Sequence, residues 1–262
     1  MKRYLSLYFH FWRNCLMRDL EFRFNAVVWT VMNFIWFGLV LVSLELIFGQ
    51  VETIAGWTKD EVLLLACIQA LFHDFLWTFV LDNLGHFSDL IRQGNFDFVL
   101  LKPVRPRFLV STRYFESDHY VRILALFYLI PKYLGRLGVQ PAIFSLLSFG
   151  LLFVLGIFIF YNLFFIFTTT NFWFINLFNL NDLFDQVIDL GRYPVHIFKG
   201  GAKLFFVYIV PVAFIATFPV QALLGKIGLE MVIVAVLMSL VMFGVSQWFW
   251  QYALRHYQSA SS

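Results

Sequence analysis

The chain has 262 residues, of which 61% are hydrophobic, 21% aromatic and only 13% charged. Soluble domains carry about a quarter charged residues, so this composition excludes an ordinary water-soluble fold. The formal charge of +3 says little as a sum, because the distribution of lysine and arginine is what orients a membrane chain.

About 20 apolar residues cross a bilayer as helix, and this length accommodates about six crossings with short connections. The expected class is an all-α polytopic membrane protein. Residues 1–25 read as an amphipathic helix on the membrane surface. Leu5, Tyr8, Phe9, Trp12 and Leu16 fall on one side and Arg3, His10, Asn14, Arg18 and Glu21 on another. The alternative is an ordinary basic flank before a signal anchor. No cleavable signal peptide is expected, because charges are scattered through this segment.

A transmembrane unit then occupies 26–252. Span one is 26–48, with Glu45 near its far end, and span two is 61–81, with the adjacent pair His73 and Asp74 inside it. A polar interruption follows from 82 to 113, within a loop reaching 118. Span three is 120–137, opened by Arg122 and interrupted by Pro131. Span four is 141–168, the last span 228–252, and a polar tail fills 253–262. Cys15 and Cys67 form no metal or disulfide spacing and read as packing residues. Basic residues concentrate before span one and in the loop after span two, so both segments and both termini are expected in the cytoplasm, in an inner or plasma membrane.

The polar interruption is more than an anchor of positive charge. A short helix ends at Gly94, which suits the left-handed backbone of a helix C-cap. Pro103 and Pro106 are expected to keep the following residues extended. The run Arg92-Gln93-Gly94-Asn95-Phe96-Asp97-Phe98-Val99-Leu100-Leu101-Lys102-Pro103-Val104-Arg105-Pro106 resembles a signature of type-2 ABC exporter permeases: arginine, glycine, a leucine pair, then a basic residue before proline. A second stretch, Arg192-Tyr193-Pro194 followed by Pro211-Val212-Ala213-Phe214 and Phe218-Pro219, fits the same branch.

The resemblance implies an N-terminal elbow helix, a cytoplasmic coupling helix at 82–94 and a re-entrant hairpin before the last span. It also implies a second permease chain, identical or homologous, and a dimer of cytosolic ABC ATPases that carries the ATP and magnesium. The coupling residues it points to are Asp89, Arg92, Gln93, Gly94, Lys102 and Pro103. This chain itself would bind no cofactor or metal. Lipid surrounds it, and no feature suggests nucleic acid.

Between 171 and 224 two readings compete. Hydropathy makes 202–223 the fifth span and leaves 172–191 as a surface helix. The resemblance makes 172–190 a short polar fifth span, with 193–223 dipping in and out of the same face. Irregular backbone at membrane depth requires burial by protein or water.

Catalytic motifs are absent: there is no phosphate-binding Gly-x-x-x-x-Gly-Lys-Ser/Thr loop, no His-Glu-x-x-His and no Gly-x-Ser-x-Gly. The chain is therefore expected to be a permease and not an enzyme. Intramembrane polar residues mark function or a buried structural pair. His73 and Asp74 are the first such set. Asn179, Asp182, Asp185, Gln186 and Asp189 are the second, sharing one face at helical spacing. They line a pathway or form a solvated surface. The leading function is the membrane subunit of an ATP-driven exporter. An ion-coupled secondary transporter using His73, Asp74 and Glu45 is the alternative, although no inverted repeat is evident.

Overall fold

The structure, a computed structural model, describes residues 2–174 and 180–257. Among these residues every regular element is helical, apart from one isolated bridge between Ile54 and Trp57. Helix α1 (Lys2–Glu21) breaks at Phe22 from α2 (Arg23–Phe48), the first long apolar helix. Tyr4, Tyr8 and Trp12 attach α1 to the rest of the chain through Phe108, Phe115 and Tyr120. Leu5 and Phe9 point outward. The expected apolar stripe is thus divided between a protein-facing and an outward-facing side.

Helix α3 (Lys59–Leu76) starts on a capping box, with Thr58 donating its backbone N–H to Glu61 at 2.9 Å. It passes through a π-helical turn at Trp77–Leu81 into α4 (Asp82–Arg92) without a break. The result is one rod from Lys59 to Arg92, 34 residues and roughly 50 Å long. This corrects the expectation of a separate coupling helix: the helix ending at Arg92 and span two are one element. The sequence between them offers no proline or glycine to interrupt the ladder until Gly85.

At the Arg92 end the chain turns at Gly94, whose φ is +69°. The Asn95 N–H donates to the Leu90 carbonyl at 2.9 Å, closing the helix as a left-handed glycine cap does. Two short helices follow, α5 (Asp97–Leu100) and α6 (Pro106–Thr112). Pro106 therefore opens a helix where extended chain was expected. Its fixed φ suits the first helical position, where no N–H partner is needed. Phe96 anchors this loop among Phe87, Phe172, Trp250 and Tyr257.

Helix α7 (Tyr120–Arg136) runs back along α3, and α8 (Ile143–Thr169) then runs parallel to α3. Phe72 meets Phe153 and Phe160, Phe87 meets Phe165, and Asn171 donates to Ser88 at 2.8 Å. Helix α12 (Leu229–His256) lies parallel to α8, from the Ala235–Leu152 level to the Trp250–Phe165 level.

The expected fifth span over 172–190 is not one helix. A 3₁₀ turn occupies Thr170–Phe172, and α9 covers only Leu180–Asp189. Asn179 lies outside the described residues. Yet α9 runs antiparallel to the α3 rod: Asn181 lies beside Gly85, Asp185 beside Trp77, and the Ile188 carbonyl accepts from Gln69 at 3.3 Å. That placement overturns the surface-helix reading.

The hydropathy span over 202–223 is also corrected. Helix α10 (Gly200–Leu204), with its π-helical extension to Ile209, and the Val212–Leu223 segment that ends in α11 (Thr217–Leu223) are bent by 62°. Pro211 sits at the bend and removes a backbone donor. The segment begins beside Trp57, which faces His196, and ends where Lys226 bonds Glu61 at 2.5 Å. Both points lie at the Lys59 end of the bundle, the geometry of a re-entrant hairpin. At its deepest the hairpin presses on α8, where a Cβ on Gly156 would stand 2.8 Å from the Phe214 oxygen.

Among the described residues, four helices are long and apolar enough to cross a membrane: α2, the α3–α4 rod, α8 with its 3₁₀ end, and α12. The rod is their centre, since 78% of its most apolar stretch is buried, against 11% for α2. Four long apolar helices establish a multi-pass membrane protein.

Candidate functional site

Beside the rod lies a cavity of about 770 Å³. Helix α2, with Phe22 just before it, contributes a stripe at three- and four-residue spacing, Ala26, Trp29, Asn33, Trp36 and Val40, to one wall. The rod supplies Gln69, His73 and Trp77, the loop before α7 supplies Glu116 and Asp118, and α9 supplies Asp185 and Asp189. Asp182 is not among the lining residues, so the expected acidic face is divided.

Behind the wall sits a buried ionic cluster. Asp74 has no exposed surface. Arg122 Nε donates to both its oxygens, at 2.9 and 3.1 Å, and a second guanidinium nitrogen bonds it as well. His119 Nδ1 stands 3.0 Å away. Arg122 also donates to the Asn33 carbonyl at 2.6 Å, which ties α2, α3 and α7 at one level. A buried carboxylate with this many donors is satisfied and structural.

His73 faces the other way. Its Nδ1 is 3.5 Å from Asp74 and its Nε2 is 3.5 Å from Asp185, which also accepts from Trp77 Nε1 at 2.7 Å. The two polar sets singled out in the sequence therefore meet at the cavity through His73 and Asp185, with Asp189 lining it as well. Glu45 does not join them; it pairs with Lys59 at the opposite end of α2.

In the loop before α7, burial alone would lower the His119 pKa, but its bonds to Asp74 and Glu116 raise it to about 9. Burial raises the Asp118 carboxyl, with His119 offsetting part of the effect and Glu116 adding to it. Two triads place ligand atoms within 4.8 Å of one another: His73, Asp74 and His119, and Glu116, Asp118 and His119.

At the Arg92 end the expected coupling residues form one exposed edge. Asp89 and Arg92 pair at 2.7 Å on the surface, and Gln93 accepts from Asn95 at 3.1 Å. Gly94 supplies the turn, and Lys102 and Pro103 follow α5. Phe98 and Leu101 protrude beside them, Leu101 80% exposed.

Composition and spacing did not mark two other residues. Arg122 registered only as a charge opening a span, although an arginine there needs a carboxylate. Arg107 counted only toward loop charge. It donates to Asn162, Ser246 and Gln247 at 2.8, 2.8 and 2.7 Å, with its guanidinium 4.4 Å from the centre of the Phe165 ring. It thereby fastens α6 to α8 and α12.

A search of curated proteins finds no match to this chain. The family model described as ABC-2 family transporter protein matches residues 34–261. That match takes in the rod, the cavity's α3, α7 and α9 walls, the hairpin and α12. The chain thus belongs to the ABC-2 transporter family and is a membrane permease component of an ABC transporter.

Proposed function

We propose that this chain is the pathway-forming subunit of an ATP-driven exporter, acting as a dimer with a second permease chain and coupled to cytosolic ABC ATPases. The observation that carries the reading is the unbroken α3–α4 rod. His73, Asp74 and Trp77 sit at the cavity level of an element whose other end is the exposed Asp89–Arg92 edge. A stiff helix transmits displacement along its axis. Force on that edge, when the ATPases close around ATP and magnesium, moves one wall of the cavity relative to α2 and α9 by rigid-body shifts. The π-helical turn at Trp77–Leu81 lies between edge and cavity, where a local irregularity gives the rod one place to bend.

In this reading the Arg92 end and both termini are cytoplasmic in an inner or plasma membrane. The organisation is α1 as an interfacial element, a transmembrane unit over 26–252 with its coupling loop at 82–118, and a short tail. Asp89, Arg92, Gln93, Gly94, Lys102 and Pro103 form the ATPase contact, while His73, Asp185 and Asp189 line the pathway.

Charge reversal at an interface sets like charges against each other. Arg92→Glu should therefore reduce co-purification of the ATPase and lower export, with membrane insertion unchanged. Normal assembly and normal export in that variant would refute the coupling role.

A further inference from the structure

The cavity's charge has a definite sign once its pairs are matched. Arg122 is taken by Asp74, Arg192 by Asp189 at 2.6 Å, and Arg18 by Asp19 at 3.3 Å. Asp185, Glu116 and Asp118 have no arginine or lysine partner among the described residues; His73 and His119 approach them, and the neutral donors Trp77 and Asn33 bond Asp185 and Asp118 at 2.7 and 3.1 Å. Each of the three also keeps part of its surface exposed. Each of these arginines has a carboxylate partner, although Arg192 Nε is left without a hydrogen bond, and the surplus is carboxylate.

The walls between these carboxylates are indole. Trp29 and Trp36 are 56% and 67% exposed on the α2 stripe, and Trp77 stands opposite on the rod. The electron-rich faces of tryptophan attract cations, most strongly where water is scarce. A volume of 770 Å³ lies within the roughly 300–1,000 Å³ of small-molecule sites. An anion would find Asp185 and the Glu116–Asp118 pair, only partly offset by His119, and every lining arginine already beside a carboxylate. A neutral apolar molecule would leave those carboxylates desolvated without compensation.

We propose that this cavity binds an amphipathic organic cation, its charged centre near Asp185, Glu116 and Asp118 and its hydrophobic body against Trp29, Trp36 and Trp77. The proposal rests on reading the cavity as part of the transport pathway and names the class of cargo it accepts. The carboxylates recognise charge, and the indoles accept bodies of differing shape.

The test uses the full-length chain in an uncharged detergent, with tryptophan fluorescence as the readout. Tetraphenylphosphonium should quench it saturably; tetraphenylborate, of similar size and opposite charge, should not. Asp185→Asn and Glu116→Gln should each weaken tetraphenylphosphonium binding on the order of tenfold. Asp185→Glu should restore most of that loss. Equal binding of the two ions would overturn the proposal, and so would unchanged affinity in both carboxamide variants that keep a normal thermal midpoint. Binding is measured without the ATPase, so the two readings separate. Intact, charge-selective binding alongside a functional Arg92→Glu variant would sink the coupling mechanism and leave the cation site standing.

Discussion

Asp74 shows what an ionised side chain requires at membrane depth. It lies 13 residues along α3 from Glu61, about 20 Å from that end, with both carboxylate oxygens bonded by Arg122 and one of them also facing His119. Removing one partner of such a pair strands the other charge, so Asp74→Ala should cost about 3–5 kcal/mol and lower the thermal midpoint in detergent. Replacing both, Asp74→Leu with Arg122→Met, should recover much of that loss, because apolar residues of similar size tolerate the site. An unaltered midpoint in Asp74→Ala would mean the cluster is hydrated. His119 adds a pH dependence. Its pKa is raised from 6.5 to about 9, so its contribution is complete below pH 6.5 and is lost as pH rises through 9. The midpoint should fall over that window, and His119→Gln should flatten the slope. The sequence marked His73 and Asp74 because polar residues in an apolar run are costly. It could not reveal Arg122 as the partner, because 48 residues separate them and only helix packing sets their level.

Elements that are long and uniformly apolar were legible. Spans one, two, four and six coincide with α2, the rod's first part, α8 and α12, since continuous apolar length has no other use in lipid. The short, mixed elements were not. The fusion of span two with the coupling helix depends on an unbroken backbone ladder, which polarity alone misreads as an end. The fifth region is ambiguous because α9 is short over its described residues, Leu180–Asp189, and the hairpin is apolar enough to imitate a span. Proline spacing marked the break: Pro211 sits at the bend. Tight packing against Gly156 holds the hairpin at depth. Gly156→Val should force α8 and the Phe214 backbone apart and destabilise by about 1–3 kcal/mol, with impaired export. Gly150→Val, six residues up the same helix where a Cβ meets nothing within 4 Å, is the control and should be silent. Equal behaviour of the two variants would show that the hairpin is not locked there.

The whole molecule has two dissimilar ends. One gathers Glu61 and Lys226 with the hairpin's entrance and exit beside Trp57. The other gathers α1, the rod's Arg92 end and the basic loop, fastened to α8 and α12 through Arg107. Five of the lysines and arginines precede Ala26, and five more lie from Asp82 to Arg113, so the positive-inside rule predicts that this end faces the cytoplasm. Cysteine labelling of intact cells tests this placement, and the structure selects the reporters. Ser111 is a poor one because its hydroxyl lies 2.9 Å from that of Tyr161 and it is half-buried. Leu101 is 80% exposed at the loop tip, and Lys199 is exposed where the hairpin enters. The native Cys15 and Cys67 are buried and should give little background. Leu101→Cys should resist an impermeant maleimide until the cells are opened, whereas Lys199→Cys should react from outside at once. If both react from outside, the rod cannot carry force between the two compartments. If only Leu101→Cys does, the bundle is inverted and the basic edge cannot reach a cytosolic ATPase.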